Sequence, residues 1–254
     1  MNQELIKRLR EKESKMIEIR RYLHEHPELS FHETETPQYI ADFYKEKDCD
    51  VETNVGPNDV KVTIDSGKPG KTIAIRADFD ALPIEEQTGL SFASKNKGVM
   101  HACGHDAHTA YMLILGETLI EMKEQFKGKV VIIHQPAEEI PPGGAQGMIK
   151  DGVLEGVDHV LGAHVMSTME AGKVFYKEGY VQTGRAYFKL VVQGKGGHGS
   201  SPHMANDAIV AGSNFVTIAQ TVVSRRLNPF ETGVVTIGSV SYTHLRAHET
   251  SLHL

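Results

Sequence analysis

Tryptophan is absent from this 254-residue chain, cysteine occurs twice, and aromatic residues make up only 7%. Cys49 and Cys103 allow at most one disulfide. A reducing compartment, with Cys103 free to hold a metal, explains them better than a single long-range bridge. Positive charge is scarce as well: 27 lysines and arginines stand against 33 acids, a net charge of -6. With no basic stripe interleaved with aromatics, that balance argues against a dominant nucleic-acid surface. No apolar run approaches the ~20 residues that span a bilayer. The first 21 residues are charged and amphipathic and lack the apolar core of a secretory signal. The expectation is a cytoplasmic protein with neither nucleic acid nor membrane as partner.

What is present is ordinary globular material, 40% hydrophobic and 24% charged, in a length comfortable for two domains. The chain is organised around Met100-His101-Ala102-Cys103-Gly104-His105-Asp106-Ala107-His108. Thiolate and imidazole are strong ligands for zinc-like ions, and Gly104 between them permits a tight backbone. Residues 110–122 have helical spacing, so the pair is expected at a strand-to-helix corner, where α/β proteins keep their chemistry. Alone, such a pair is more often a small buried hydrophobe and a helix-capping group. Its weight comes from what stands at the ends of other expected strands.

Residues 3–24 read as a helix closed by Pro27, with His24-Glu25-His26 as polarity at its end, because successive helical side chains diverge. Thr36-Pro37 reads as a second helix start that carries Tyr39, Ile40 and Phe43 inward. Residues 60–64 and 72–77 read as strands, the latter delivering Asp78 and Asp80, which suit groups that orient a ligand imidazole. Residues 129–135 read as a fully buried strand that delivers Glu138 and Glu139. Adjacent carboxylates diverge, so one can bind metal while the other faces a water. Residues 160–164 read as a short strand ending in His164. One such coincidence is weak; four in series point to one edge of a mostly parallel sheet.

Near residue 182 the pattern changes. Residues 186–193 alternate as a strand, 194–203 form a glycine-rich loop holding His198, 205–225 read as a helix and 233–238 as a strand. The loop lacks the lysine-serine ending of a phosphate-binding loop. From Val240 the sequence matches one reading frame of a common transposase-based sequencing adapter, so residues 240–254, with His244, His248 and His253, are expected not to be native.

Arg76-Ala77-Asp78-Phe79-Asp80-Ala81-Leu82-Pro83, His101-Ala102-Cys103-Gly104-His105-Asp106, Gln135-Pro136-Ala137-Glu138-Glu139, Gly162-Ala163-His164 and Gly196-Gly197-His198-Gly199 occur in that order. Together they resemble the amidohydrolase branch of the M20 metallopeptidases, over nearly all of the chain before Val240. The resemblance implies an α/β catalytic domain (residues 1–182) with two divalent ions, zinc, manganese, cobalt or nickel. It also implies an inserted α+β lid that dimerises, here incomplete (183–239). By the same resemblance Cys103, His105, Glu139 and His164 are metal ligands and Glu138 is the general base. His198 is the lid histidine that reaches a neighbouring subunit. The implied reaction is hydrolysis of the amide bond of an N-acylated amino acid by a metal-activated water. Rival readings are a dipeptidase or aminopeptidase of the same family, a non-catalytic ligand-binding or dimer-partner homologue, and a closed structural zinc site. Because the family's last metal histidine lies beyond the lid, the chain as given is expected to bind metal substoichiometrically and to show no turnover.

Overall fold

The computed structural model describes residues 2–53, 58–182 and 184–242. It separates into two compact units, Met1–Glu170 and Ala171–Leu254, where the sequence pattern puts the change after residue 182.

In the first unit, α1 (Asn2–Glu11) and α2 (Glu13–Glu25) replace the single expected helix, with the break at Lys12. The third helix, α3 (Glu35–Tyr44), begins two residues before Pro37. Its free N-terminal amides are capped from outside the helix: the Glu28 carboxylate accepts from the backbone N–H groups of Thr34, Glu35 and Thr36 at 2.8–3.0 Å. Five strands follow, β1 (Asp50–Thr53), β2 (Val60–Asp65), β3 (Thr72–Asp78), β4 (Lys129–Gln135) and β5 (His159–Gly162), in the order β1-β2-β4-β3-β5. The β4–β3 and β3–β5 pairings are parallel, and β2 joins β4 and β1 antiparallel, so every strand except β2 runs the same way.

Between β3 and β4 lies α4 (His105–Glu121), and between β4 and β5 lies α5 (Gly144–Lys150). Ile132, Ala77 and the inward residues of β2 pack with α2, α3 and α4 on one face of the sheet. Ala74, Val131 and Ile133 pack with Met148 and Val153 on the other. β4 is covered on both sides, which is why it reads as a continuous apolar run rather than an alternation. The connections leaving β3 and β4 therefore pass to opposite faces, and the carboxyl ends of these two strands are the place where α/β sheets hold ligands. Asp78 and Gln135 are level there in the parallel register.

One expectation is corrected at this point. No strand leads into Cys103: residues 79–104 are irregular, tied back by a bridge between Leu82 and Met100, and the corner is loop-to-helix.

The second unit holds α6 (Ala208–Ala219) and α7 (Thr221–Arg226), a division at Gln220 of the single expected helix. Asp207 caps α6, accepting from the N–H groups of Ile209 and Val210. The two expected strands, 186–193 and 233–238, have no regular structure and join no ladder among the described residues. Alternation makes a strand only where a neighbour takes up its backbone hydrogen bonds. From Thr243 onward the adapter-like tail lies outside the described residues.

Candidate metal centre

The start of α4 lies beside the carboxyl ends of β3 and β4: His105, its first residue, meets Asp78 and Asp80 just where β3 ends. Gly104 precedes the helix with φ +83, and a Cβ there would stand 2.4 Å from Val165 Cγ2, so glycine is required on both counts. This turn presents Cys103 and His105 together.

His105 is fully buried, and Asp80 holds it through both its carbonyl oxygen (2.9 Å) and Oδ1 (3.1 Å), which accept from Nδ1–H. That fixes the tautomer and leaves a lone pair on Nε2. Nε2 lies 3.9 Å from Glu139 Oε1, and both atoms are buried without a hydrogen-bond partner among the described residues. Such atoms carry a penalty unless something absent from a protein-only structure satisfies them. Asp80 Oδ2 accepts from Ser30 Oγ (2.7 Å) and from the Glu139 backbone N–H (3.0 Å), so one carboxylate sets both the imidazole and the glutamate turn.

His164 donates Nδ1–H to the Val165 carbonyl at 2.6 Å and turns Nε2 toward Cys103 Sγ, 3.4 Å away. Two ligands on one tetrahedral ion, bound at ~2.0 and ~2.3 Å, stand about 3.5 Å apart. Donor atoms of Cys103, His105 and His164 lie within 4.8 Å of one another, as do those of His105, Glu138 and Glu139. His105 belongs to both groups. The electrostatics ask for a cation. Burial and the neighbouring carboxylates of Glu139, Asp78 and Glu138 push the Cys103 thiol up to about 12, and a bound cation would reverse that. The donor set thus fits divalent metal on geometry, unpartnered atoms and charge.

Asp78 sits between two imidazoles of α4. Its Oδ1 accepts from His108 Nδ1 at 2.6 Å, and its Oδ2 lies 2.6 Å from an Arg76 guanidinium nitrogen and 3.6 Å from His105 Nε2. Burial alone would raise its carboxyl, but the His108 hydrogen bond, Arg76 and His105 hold it well below the usual carboxylate range. It therefore orients His108, and the orienting of His105 falls to Asp80.

His24 departs from expectation. Helix-end polarity does not describe it: the ring is buried, with Nδ1 2.7 Å from Asp106 Oδ2 and Nε2 3.3 Å from Glu86. Arg20 meets the same Asp106 oxygen at 2.8 Å. This network ties α2 to the first turn of α4 beside His105. The sequence reading also passed over Glu33, which is fully buried and accepts the Ala137 N–H at 2.8 Å, just before the glutamate pair. Ala137 sits at φ +49, a conformation a non-glycine residue keeps only when its surroundings enforce it. His198 belongs to the second unit, exposed, with Nδ1 2.8 Å from Ser200 Oγ.

The sequence profile of peptidase family M20/M25/M40 matches residues 74–245. Among curated relatives, an N-acyl-L-amino acid amidohydrolase of Geobacillus stearothermophilus is 41% identical over 238 residues, 93% of this chain and 64% of the relative. A crystal structure of a provisionally assigned aminohydrolase from methicillin-resistant Staphylococcus aureus is 81% identical, with a TM-score of 0.79 over 94% of this chain and 61% of that one. A dinuclear metal-binding peptidase of the M20 family from Bacillus subtilis is 44% identical, with a TM-score of 0.62 over 65% of this chain and 47% of that one. The chain spans 55% to 64% of the length of the curated relatives it matches.

Proposed function

This chain belongs to peptidase family M20/M25/M40, and we propose that it carries the metal-binding face of a hydrolase for the amide bond of N-acylated amino acids. The observation that carries the reading is the pair of buried ligand atoms, His105 Nε2 and Glu139 Oε1, that have no hydrogen-bond partner among the described residues, beside Cys103 and His164. The names of the relatives support the substrate class. In this reading Cys103, His105, Glu139 and His164 hold two divalent ions, zinc, manganese, cobalt or nickel, which supply electrophilic polarisation of a carbonyl and a more acidic water.

The remaining work falls to the chain's own groups. Glu138 keeps a carboxylate oxygen within 4.8 Å of the His105 and Glu139 donors. It takes the proton of the attacking water and returns it to the leaving nitrogen. Asp80 holds His105 in the tautomer that frees Nε2, and Ser30 holds Asp80. His198 takes the oxyanion-stabilising role, supplied by a second copy of the chain in a homodimer. A thiol ligand suits a reducing compartment such as the cytoplasm.

The test pairs two substitutions in the full-length gene product. Glu138→Gln should retain metal and lose at least ~10²-fold in turnover of an N-acyl-amino-acid panel. Glu139→Gln should lose metal. Near-normal turnover in the first, or equal metal content in both, overturns this division of roles.

A further inference from the structure

His108 lies one turn after His105 on α4, its ring stacked on that of His105 with centroids 5.4 Å apart. With Asp78 and His105 it makes a buried trio whose composition suits a metal. Its hydrogen bonds exclude it as a ligand. The Val165 backbone N–H donates to His108 Nε2 at 3.0 Å, so that nitrogen carries a lone pair and no proton. The proton is on Nδ1, which donates it to Asp78 Oδ1 at 2.6 Å. Both ring nitrogens are committed and none is left for an ion.

Three residues further along the same helix, the Tyr111 hydroxyl donates to the Ala163 carbonyl at 3.1 Å. One helix face therefore grips the backbone on both sides of His164, through Ala163 before it and Val165 after it. The His164 ring stands edge-on against His108, centroids 4.5 Å apart. Val165 also lies close against Gly104, in the space a side chain there would fill. The grip is needed, because all four residues of β5, the strand that delivers His164, are exposed.

We infer that His108 and Tyr111, with Asp78 fixing the His108 tautomer, form a clamp that positions His164 for metal; the inference rests on the metal reading above. His108 is on this account a positioning residue that acts through the peptide and not through an ion. The clamp also separates two neighbouring histidines of one helix by role: His105 offers its free nitrogen to the site, and His108 offers its own to the main chain.

The probe is Co²⁺ added to the full chain, followed by the cobalt–thiolate absorption of Cys103 and titrated for affinity, with the thermal midpoint of the metal-free chain measured alongside. His164→Ala, the reference, should weaken the ion beside Cys103 about 100-fold. His108→Leu should weaken it by about 10- to 100-fold, the usual scale for groups that orient a ligand. Tyr111→Phe should cost up to about tenfold with an unchanged midpoint. His108→Gln, whose amide oxygen can still accept from Val165 N–H, should recover most of the loss seen with leucine. Unaltered Co²⁺ affinity in both His108→Leu and Tyr111→Phe, while His164→Ala is impaired, overturns the clamp. Unaltered affinity in His164→Ala overturns the metal reading itself and the clamp with it. Should His108→Leu fail to fold, Tyr111→Phe decides alone.

Discussion

The two units use similar sequence material with opposite results. In the unit Met1–Glu170, Val60, Val62, Ile64, Leu113 and Ile132 are all 0% exposed, and each strand meets a neighbour. In the unit Ala171–Leu254, Phe230 is 99% exposed, Tyr176 95% and Val234 85%, and among the described residues the buried hydrophobic core reaches only Ala219. Apolar alternation is present in both. What differs is whether another element lies alongside to take up the backbone and cover the side chains, and that depends on tertiary contacts rather than local propensity.

The widest gap between the units should appear on truncating a core residue. Ile132→Ala in β4 removes a side chain held between α4 and the sheet and should cost about 2–5 kcal/mol in urea denaturation. A loss below ~1 kcal/mol would mean that the first unit is much looser than its burial indicates.

A second test stays within the first unit and uses pH. Burial raises the Glu33 carboxyl from 4.5 to about 7, beyond what the Ala137 hydrogen bond can offset. Between those values the folded chain holds a proton that the unfolded chain has released, so stability falls as pH rises through that window. The full penalty is present above about 7 and is of the order of 3 kcal/mol. Glu33→Gln keeps the acceptor for Ala137 N–H and removes the titration, so its stability should stay flatter over the same range. Parallel pH curves for the two proteins would show that Glu33 is not strained by burial.

The smallest effect should come from the second unit. Phe230→Ala should change stability by no more than about 0.5 kcal/mol. A larger loss would show that something covers this residue in solution, and the contrast between the units would narrow.

Much of the first unit is legible in sequence because its strands obey simple patterns. Residues 129–135 match β4 end to end, and 72–77 and 60–64 fall one residue short of β3 and β2. β1 is four residues with an exposed pattern and carries no periodicity to read. Cys103, His105, Glu138, Glu139 and His164 stand out by type and position. His24, Glu33, His108 and Tyr111 do not, since what each does depends on a partner far away in the chain: Asp106, Ala137, Val165 and Ala163. Only His108 left a clue, a histidine one helical turn from another beside an acid delivered by β3. In the second unit, residues 186–193 and 233–238 show what a pattern alone cannot establish, namely whether a ladder partner exists.

The exposed strand β5 has a consequence for folding. It is four residues long and pairs with β3, whose facing residues lie some 86 positions earlier in the chain, as Ile73 opposite His159 shows. Long-range parallel pairing of this kind forms late, and a short edge strand opens easily. His164 follows two residues beyond its end, so if Cys103 and His164 share an ion, as proposed above, that ion would bind best while β5 is docked. Docking and ion binding are then a single linked equilibrium. On that reading an ion at a hundredfold excess over its Kd would add about 2.7 kcal/mol to the closed strand, so metal supply would set how long this edge of the sheet stays shut, and amide exchange across residues 159–165 would slow with it.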